Sequence, residues 1–338
     1  MNRSLALLPL LLLLPSIGCP RGELQPSRRD VRTLPLPAGG ELRVMGYNGA
    51  IRVTTWDRPE VELEAEIREP DGGGIQLTTE ARDGKVLVKA DRHEADNRSW
   101  NLWGLVGGGV TFTMRVPKQA VAFLETSNGA ISVRGLQGSL EARTRNGKVE
   151  LQEHGGSAVL HTSNASVYAT GVQGTLEVHT SNGSVTASDI QGKTTVKTSN
   201  AKISLTRIQG PAEVETSNGA IRAEALASDL QAETRNGRIE LQDVLGRVDA
   251  STRNGAIAAA GLNGQGKGIR LATTNARISL VLGSLEGELL ARTSRNDTVK
   301  ILRKGEVQST DDGSTRAVFG KPSQRIELTT THGRITVE

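Results

Sequence analysis

Between residues 121 and 302 hydrophobic and polar positions alternate in short bursts that restart every 18 residues. The bursts keep phase with an asparagine, at Asn128, Asn146, Asn164, Asn182, Asn200, Asn218, Asn236 and Asn254, and the series continues at Asn275 and Asn296 with a spacing of 21. Counted from each Asn, positions +3 and +5 are apolar or small, as in Ile131 and Val133, Val167 and Ala169, or Ile203 and Leu205. Position +8 is usually aliphatic (Leu136, Val172, Ile190, Ile208), and +12 and +14 are apolar or small again (Leu140 and Ala142, Leu176 and Val178). Charged and hydroxyl residues fill the gaps. Alternation with period two marks a strand with one buried face. Each 18-residue unit therefore predicts two short strands and two turns.

One such unit cannot bury its own apolar positions, so the units must stack. The expected fold is all-β: a parallel β-solenoid of 18-residue, two-strand coils, its rungs about 4.8 Å apart. Some ten coils would make a rod roughly 45–50 Å long at that rise. The Asn-Gly pair is expected at a turn needing positive φ. Thr and Asn of the corner motif, as in Thr144-Arg145-Asn146-Gly147, share parity with the inward +12 and +14 positions. They are expected to turn inward, with Asn128, Asn146, Asn164, Asn182, Asn200, Asn218, Asn236, Asn254 and Asn275 forming a structural ladder. A side-chain amide can donate to one neighbour and accept from another.

Composition agrees with a thin core. Aromatic residues make up 2% of the 338, apolar residues 36%, and glycine is abundant at 39. The net charge of +4 is spread with both signs interspersed, which argues for a solvated surface and against a nucleic-acid partner. The N-terminus reads as an export signal: Arg3, then an apolar run from Leu5 to Leu14, ending at Ile17-Gly18-Cys19. That ending resembles a bacterial lipobox, which implies lipidation of Cys19 and a membrane-anchored protein of the cell envelope, at the outer membrane or periplasmic face of a two-membrane cell. Cys19 is the sole cysteine, so no intramolecular disulfide forms. The expected organisation is a signal peptide at 1–18, lipidated Cys and tether at 19–30 and irregular coils with a cap at 31–120. Regular repeats follow at 121–302, then a loop and cap coil at 303–338.

Three stretches carry a family resemblance: Gly46-Tyr47-Asn48-Gly49-Ala50-Ile51-Arg52-Val53, then Trp56-Asp57-Arg58-Pro59, and Phe112-Thr113-Met114-Arg115-Val116-Pro117 leading into the first regular repeat. With the closing Gly333-Arg334-Ile335-Thr336-Val337, where His332 takes the Asn place, they resemble the "putative adhesin" family of bacterial envelope β-strand-repeat proteins over about residues 31–338. The resemblance implies a right-handed solenoid in the cell envelope. It brings no catalytic residue and no cofactor.

Candidate chemistry is sparse. His161 and His179 fall at the same outward position of adjacent coils, with Glu177 two residues before His179. Stacked imidazoles beside a carboxylate are weak metal-ligand candidates, and an open flat face makes them more ordinary surface than centre, so no metal is expected. Glu141, Glu177, Glu213 and Asp249 recur in every second coil. Spaced carboxylates raise the alternative of a polysaccharide-active β-helix enzyme, yet nothing in the pattern signals a cleft, and no catalytic residue is assigned. Trp100 and Trp103, near Gly107-Gly108-Gly109, sit in an excursion where they either contact a glycan or protein partner or close the apolar end of the stack. The expectation is a non-catalytic scaffold or adhesin-like protein presenting a long polar β-face to a glycan or envelope protein. A second alternative is an accessory or sensor protein of an envelope-stress system.

Overall fold

The computed structural model describes residues 27–69, 74–93, 108–294, 298–303, 306–309, 314–321 and 323–338. Two long, mostly parallel sheets, one of 15 strands and one of 16, face each other across a single apolar core. The regular coils climb the rod as the alternation requires: Ile131–Arg134 in the first sheet, Leu140–Thr144 in the second, Val149–His154 back in the first, and so on. Val149 pairs with Ile131 below it and Val167 above it. Positions +3, +5, +8, +12 and +14 are buried, as Ile131, Val133, Leu136, Leu140 and Ala142 show at 0–2% exposure. Each fully buried aliphatic side chain of this kind contributes roughly 1.5–3 kcal/mol. The expected parallel two-strand solenoid is the fold.

Two local expectations are corrected. Positive φ does not lie at the Asn-Gly pair of the repeats. It lies at +7, where Gly135, Glu153, Gly171, Asp189, Arg207, Ala225, Asp243 and Gly261 all have φ between 54° and 81°. In the inner coils the same residue is skipped on both strands, so the register is kept: Gln152 pairs with Thr170 and His154 with Val172, while Glu153 and Gly171 between them are unpaired. The motif Asn side chains also point outward, since the corner turns after the buried Thr and leaves each Asn exposed.

Coil order at the two ends is not chain order. At the N-terminal end, Glu41–Met45 and Ile51–Trp56 stack directly against Val121–Thr126 and Ile131–Arg134. The excursion between them forms the outer layer, with Glu60–Arg68 antiparallel to Gly109–Pro117 and Gly74–Arg82 antiparallel to Lys85–His93. Arg28–Pro35 closes the edge of the first sheet. There Arg32 donates to Asp30 at 2.7 and 3.0 Å and reaches across to Thr79 Oγ1 at 2.7 Å. This charged pair between the sheets plugs the open end, and charge turned inward at an edge discourages further strand pairing.

The C-terminal end repeats the trick in reverse. Arg325–Thr330 and Ile335–Val337 insert between the coil at Ile269–Val281 and the coil at Gly287–Ile301. The rung above Asn275 is therefore His332, whose N–H donates to Thr274 O at 2.7 Å. The 21-residue continuation to Asn296 is not the next rung, and Asn296 lies outside the described residues. Glu306–Ser309 and Ser314–Phe319 form an antiparallel hairpin beyond, and Leu302 and Val307 stand 54% and 48% exposed there.

Candidate functional site

The most ordered polar feature is the Thr-x-Asn-Gly corner. Each Thr is buried, and at Thr144, Thr216, Thr234 and Thr252 the hydroxyl works in two directions. Thr234 Oγ1 accepts from Gly237 N–H at 3.1 Å and donates to Gly219 O in the coil below at 3.1 Å. Thr144 and Thr252 repeat the arrangement. Where Gly follows Asn the coils approach closely: a Cβ at Gly237 would lie 1.7 Å from Gly219 O. Ala165, Ala201 and Ala276 take that place in three coils, each stacked between glycine-bearing coils.

Outside the Thr row runs the amide ladder. Nδ2 of each Asn donates to Oδ1 of the Asn one coil below, nine times in succession, at 2.5–2.9 Å. The bottom rung is Asn48, which accepts from Asn128, 80 residues away. The 18-residue spacing does not reach Asn48. Its signal was the Asn48-Gly49 pair itself. The ladder is satisfied on both sides along its length, so its chemistry is structural.

His161 and His179 do come together. Their rings stack with centroids 4.9 Å apart and planes 10° from parallel, and His179 Nε2 meets Glu177 Oε1 at 2.6 Å. Partial burial, then the neighbouring His179, holds the His161 pKa below its usual value. The bond to His179 lowers that of Glu177. Above and below them in the same column stand Lys197 and Arg143. Among the described residues no cluster of three or more His, Cys, Asp or Glu side chains is arranged to hold a metal ion.

Glu141, Glu177, Glu213 and Asp249 occupy one outward column of the second sheet, separated by Val159, Thr195 and Gln231. Each has a basic partner: Arg143, His179, Lys193 and Arg270 respectively. A general acid needs a carboxyl with a raised pKa, and the one resolved shift, at Glu177, goes down. The described surface carries two open depressions. One of about 260 Å³ on the first sheet is floored by Ala258 and Ala260 and rimmed by Arg222, Arg238 and Glu240. Another of about 230 Å³ on the second lies around Phe123, Arg43 and Glu141.

His154 stands at the turn that carries the left-handed residue. It is 0% exposed, on the +8 row that is otherwise aliphatic, with Nε2 3.2 Å from Ser157 O and Nδ1 buried without a hydrogen-bond partner. Burial pushes its pKa down, against an opposing pull from the carbonyls of Ser157 and Leu136. Cys19, the tether before residue 27, Trp100 and Trp103 lie outside the described residues. Among the described residues no helix is long and apolar enough to cross a membrane.

The sequence model of a family described as Toastrack DUF4097 matches residues 48–338. No curated protein matches the chain. Among solved structures, a crystal structure described as a putative cell adhesion protein from Clostridium sporogenes ATCC 15579 is similar at 8% identity. That alignment covers 92% of this chain and 99% of the other with a TM-score of 0.21.

Proposed function

The chain belongs to the Toastrack DUF4097 family, and from that premise we propose that it is a non-catalytic scaffold of the bacterial cell envelope, adhesin-like, anchored by lipid on Cys19 and presenting a long polar β-face to a glycan or protein. The observation that carries this reading is the evenness of the rod. Coil after coil offers the same two flat faces, charges are paired within strands and across neighbouring ones, and the depressions are open. Binding sites for small substrates are concave and enclose most of their ligand. A flat, repetitive face suits an extended partner.

The anchor supports the same reading by its place in the chain. Cys19 precedes the strand Arg28–Pro35, which lies at the N-terminal end of the stack. A lipid there would hold the rod by one end. The test is metabolic labelling with a fatty-acid probe, followed by fractionation. Wild type is expected to label and sediment with membranes, and Cys19→Ser to lose the label and either shift to the soluble fraction or remain unprocessed. Equal labelling of the two would sink the anchored reading.

A further inference from the structure

The two faces of the rod differ in chemistry over the same stretch of coils. On the first sheet, three consecutive strands, Val167–Val172, Val185–Ile190 and Ile203–Ile208, put six outward side chains in two columns. One column is Tyr168, Thr186 and Ser204, and the other is Thr170, Ser188 and Thr206. All six carry a hydroxyl and none is ionised. Thr170 and Ser188 share a hydrogen bond at 3.2 Å, and Ser166 and Ser184 extend the field at the strand starts with another at 2.9 Å. Charge edges the field: at the turn end of the same strands Arg207 pairs with Asp189 at 2.6 Å, and exposed Lys202 follows Ser166 and Ser184 at the strand starts. Below Tyr168 comes Glu150, paired with Lys148, and above Ser204 and Thr206 come Arg222 and Glu224, paired at 3.1 Å. On the second sheet the matching strands carry Glu177, His179, Lys197, Glu213 and Glu215 outward.

Tyr168 gives this field an aromatic corner. The ring is 41% exposed, with Lys148 Nζ 4.5 Å from its centroid. Phe123, under Arg43, and Trp56, under both Arg58 and Arg115, also carry cations on their rings but stand outside the hydroxyl field.

We propose that this hydroxyl field, cornered by Tyr168, is the docking face for an uncharged polysaccharide. This deepens the scaffold reading and rests on it. The matching is chemical. A hydroxyl both donates and accepts and can rotate to suit its partner, so a lattice of hydroxyls meets a chain of sugar hydroxyls without a fixed register. A neutral chain lies down on the hydroxyls without stripping water from an ion, whereas an anionic chain would have to draw Lys148 and Arg207 away from Glu150 and Asp189, their carboxylate partners at the margin. The tyrosine ring supplies the apolar area on which the C–H face of a pyranose can rest. The field spans about 10 Å along the rod and about 7 Å across, room for a short run of sugar units. A flat face of that size binds weakly alone. Many copies held on one surface convert weak contacts into retention by raising the effective concentration.

The full chain, displayed on beads, is passed over immobilised dextran, mannan and a β-1,4-glucan, with polygalacturonate as the acidic comparison. Retention on at least one neutral polysaccharide is expected and should persist in about 0.5 M salt, where ionic contacts are screened. The pair Tyr168→Ala/Ser188→Glu should lower it by about tenfold or more under multivalent display, while Thr195→Glu, the same kind of change on the opposite sheet, should leave it unchanged. All substitutions are on outward positions, and an unfolding midpoint matching wild type checks that the rod is intact. Loss of retention in Thr195→Glu as well, salt-sensitive retention on polygalacturonate alone, or no neutral polysaccharide retained would each overturn the proposal. An envelope protein captured equally by wild type and by the Tyr168/Ser188 variant would overturn the glycan face yet leave the scaffold reading standing.

Discussion

Every coil turns two corners, and the two obey different rules. At the Thr-x-Asn-Gly corner the backbone keeps ordinary dihedrals, but a carbonyl of the next coil sits 1.7 Å from where a glycine Cβ would be, and a buried hydroxyl must both donate and accept. Few side chains satisfy those demands, so the corner reads almost identically in eight successive units. At the other corner the demand is on the backbone, a left-handed residue at +7. There Gly, Glu, Gly, Asp, Arg, Ala, Asp and Gly follow one another. An L-residue in that conformation costs only about 1–2 kcal/mol, and some recover part of it: Arg207 pairs with Asp189 at 2.6 Å, and Glu153 with Arg134 at 2.8 Å. Contact between coils fixes residue identity; a dihedral requirement alone does not.

The largest expected effect breaks the contact corner. Gly237→Val drives a branched side chain into Gly219 O and should destabilise by about 3 kcal/mol or more, read as a fall in urea midpoint. A loss under about 1 kcal/mol would mean the corner yields more than its spacing suggests.

Next comes His154, where the aliphatic row of the left-handed corner is interrupted. Its folded-state pKa lies below the unfolded value of about 6.5. The unfolded chain therefore takes up a proton first as pH falls, and stability, constant above about pH 6.5, declines below it until the folded-state pKa is reached. The decline by pH 5 is at most about 2 kcal/mol, since each pH unit is worth about 1.4 kcal/mol. His154→Leu should remove that slope and raise stability at every pH; midpoints measured at pH 5 and pH 8 decide it, and an unchanged slope in the variant would assign the acid sensitivity elsewhere.

Asn182→Ala removes one bond to Asn164 and one from Asn200. Because the ladder is exposed and water can replace the lost partners, the cost should be about 1 kcal/mol, against under about 0.5 kcal/mol for Ser181→Ala. Equal costs would show that the ladder contributes no more than an ordinary surface position. The smallest effect, of opposite sign, belongs to the left-handed corner: Ala225→Gly should stabilise by roughly 0.5 kcal/mol, the relief of positive φ less the entropy of glycine, as a small upward shift in midpoint. A destabilised variant would show that the Ala225 methyl earns more by packing than its dihedral loses.

What the sequence made legible follows the same division. The strands, their inward positions and the partners of the amide ladder all repeat with the coil, so periodicity exposes them. The +7 turn escaped because its side chains vary, and the outward turn of the Asn escaped because parity holds along a strand and fails where the chain bends. The insertion of Arg325–Val337 beneath Gly287–Ile301 depends on which coil meets which, and identical corners carry no address. The burial of His154 is not legible because a polar residue at a bend suggests solvent, whereas the stacked neighbours Leu136 and Val172 enclose it. The hydroxyl field was present in the letters as separate Ser and Thr residues. Only the register shows them as one surface bounded by charge.

The amide ladder also has a direction. Each rung gives a proton downward and takes one from above, so any two rungs can be joined without loss. Removing or duplicating one complete unit between two asparagines would heal the ladder, the Thr row and both sheets at once, while an indel of a single residue would turn every following side chain to the wrong face. The length of this molecule is therefore a countable quantity, adjustable in steps of about 4.8 Å. A gene that gains or loses whole units can set how far apart the two ends of the rod stand without redesigning a single corner.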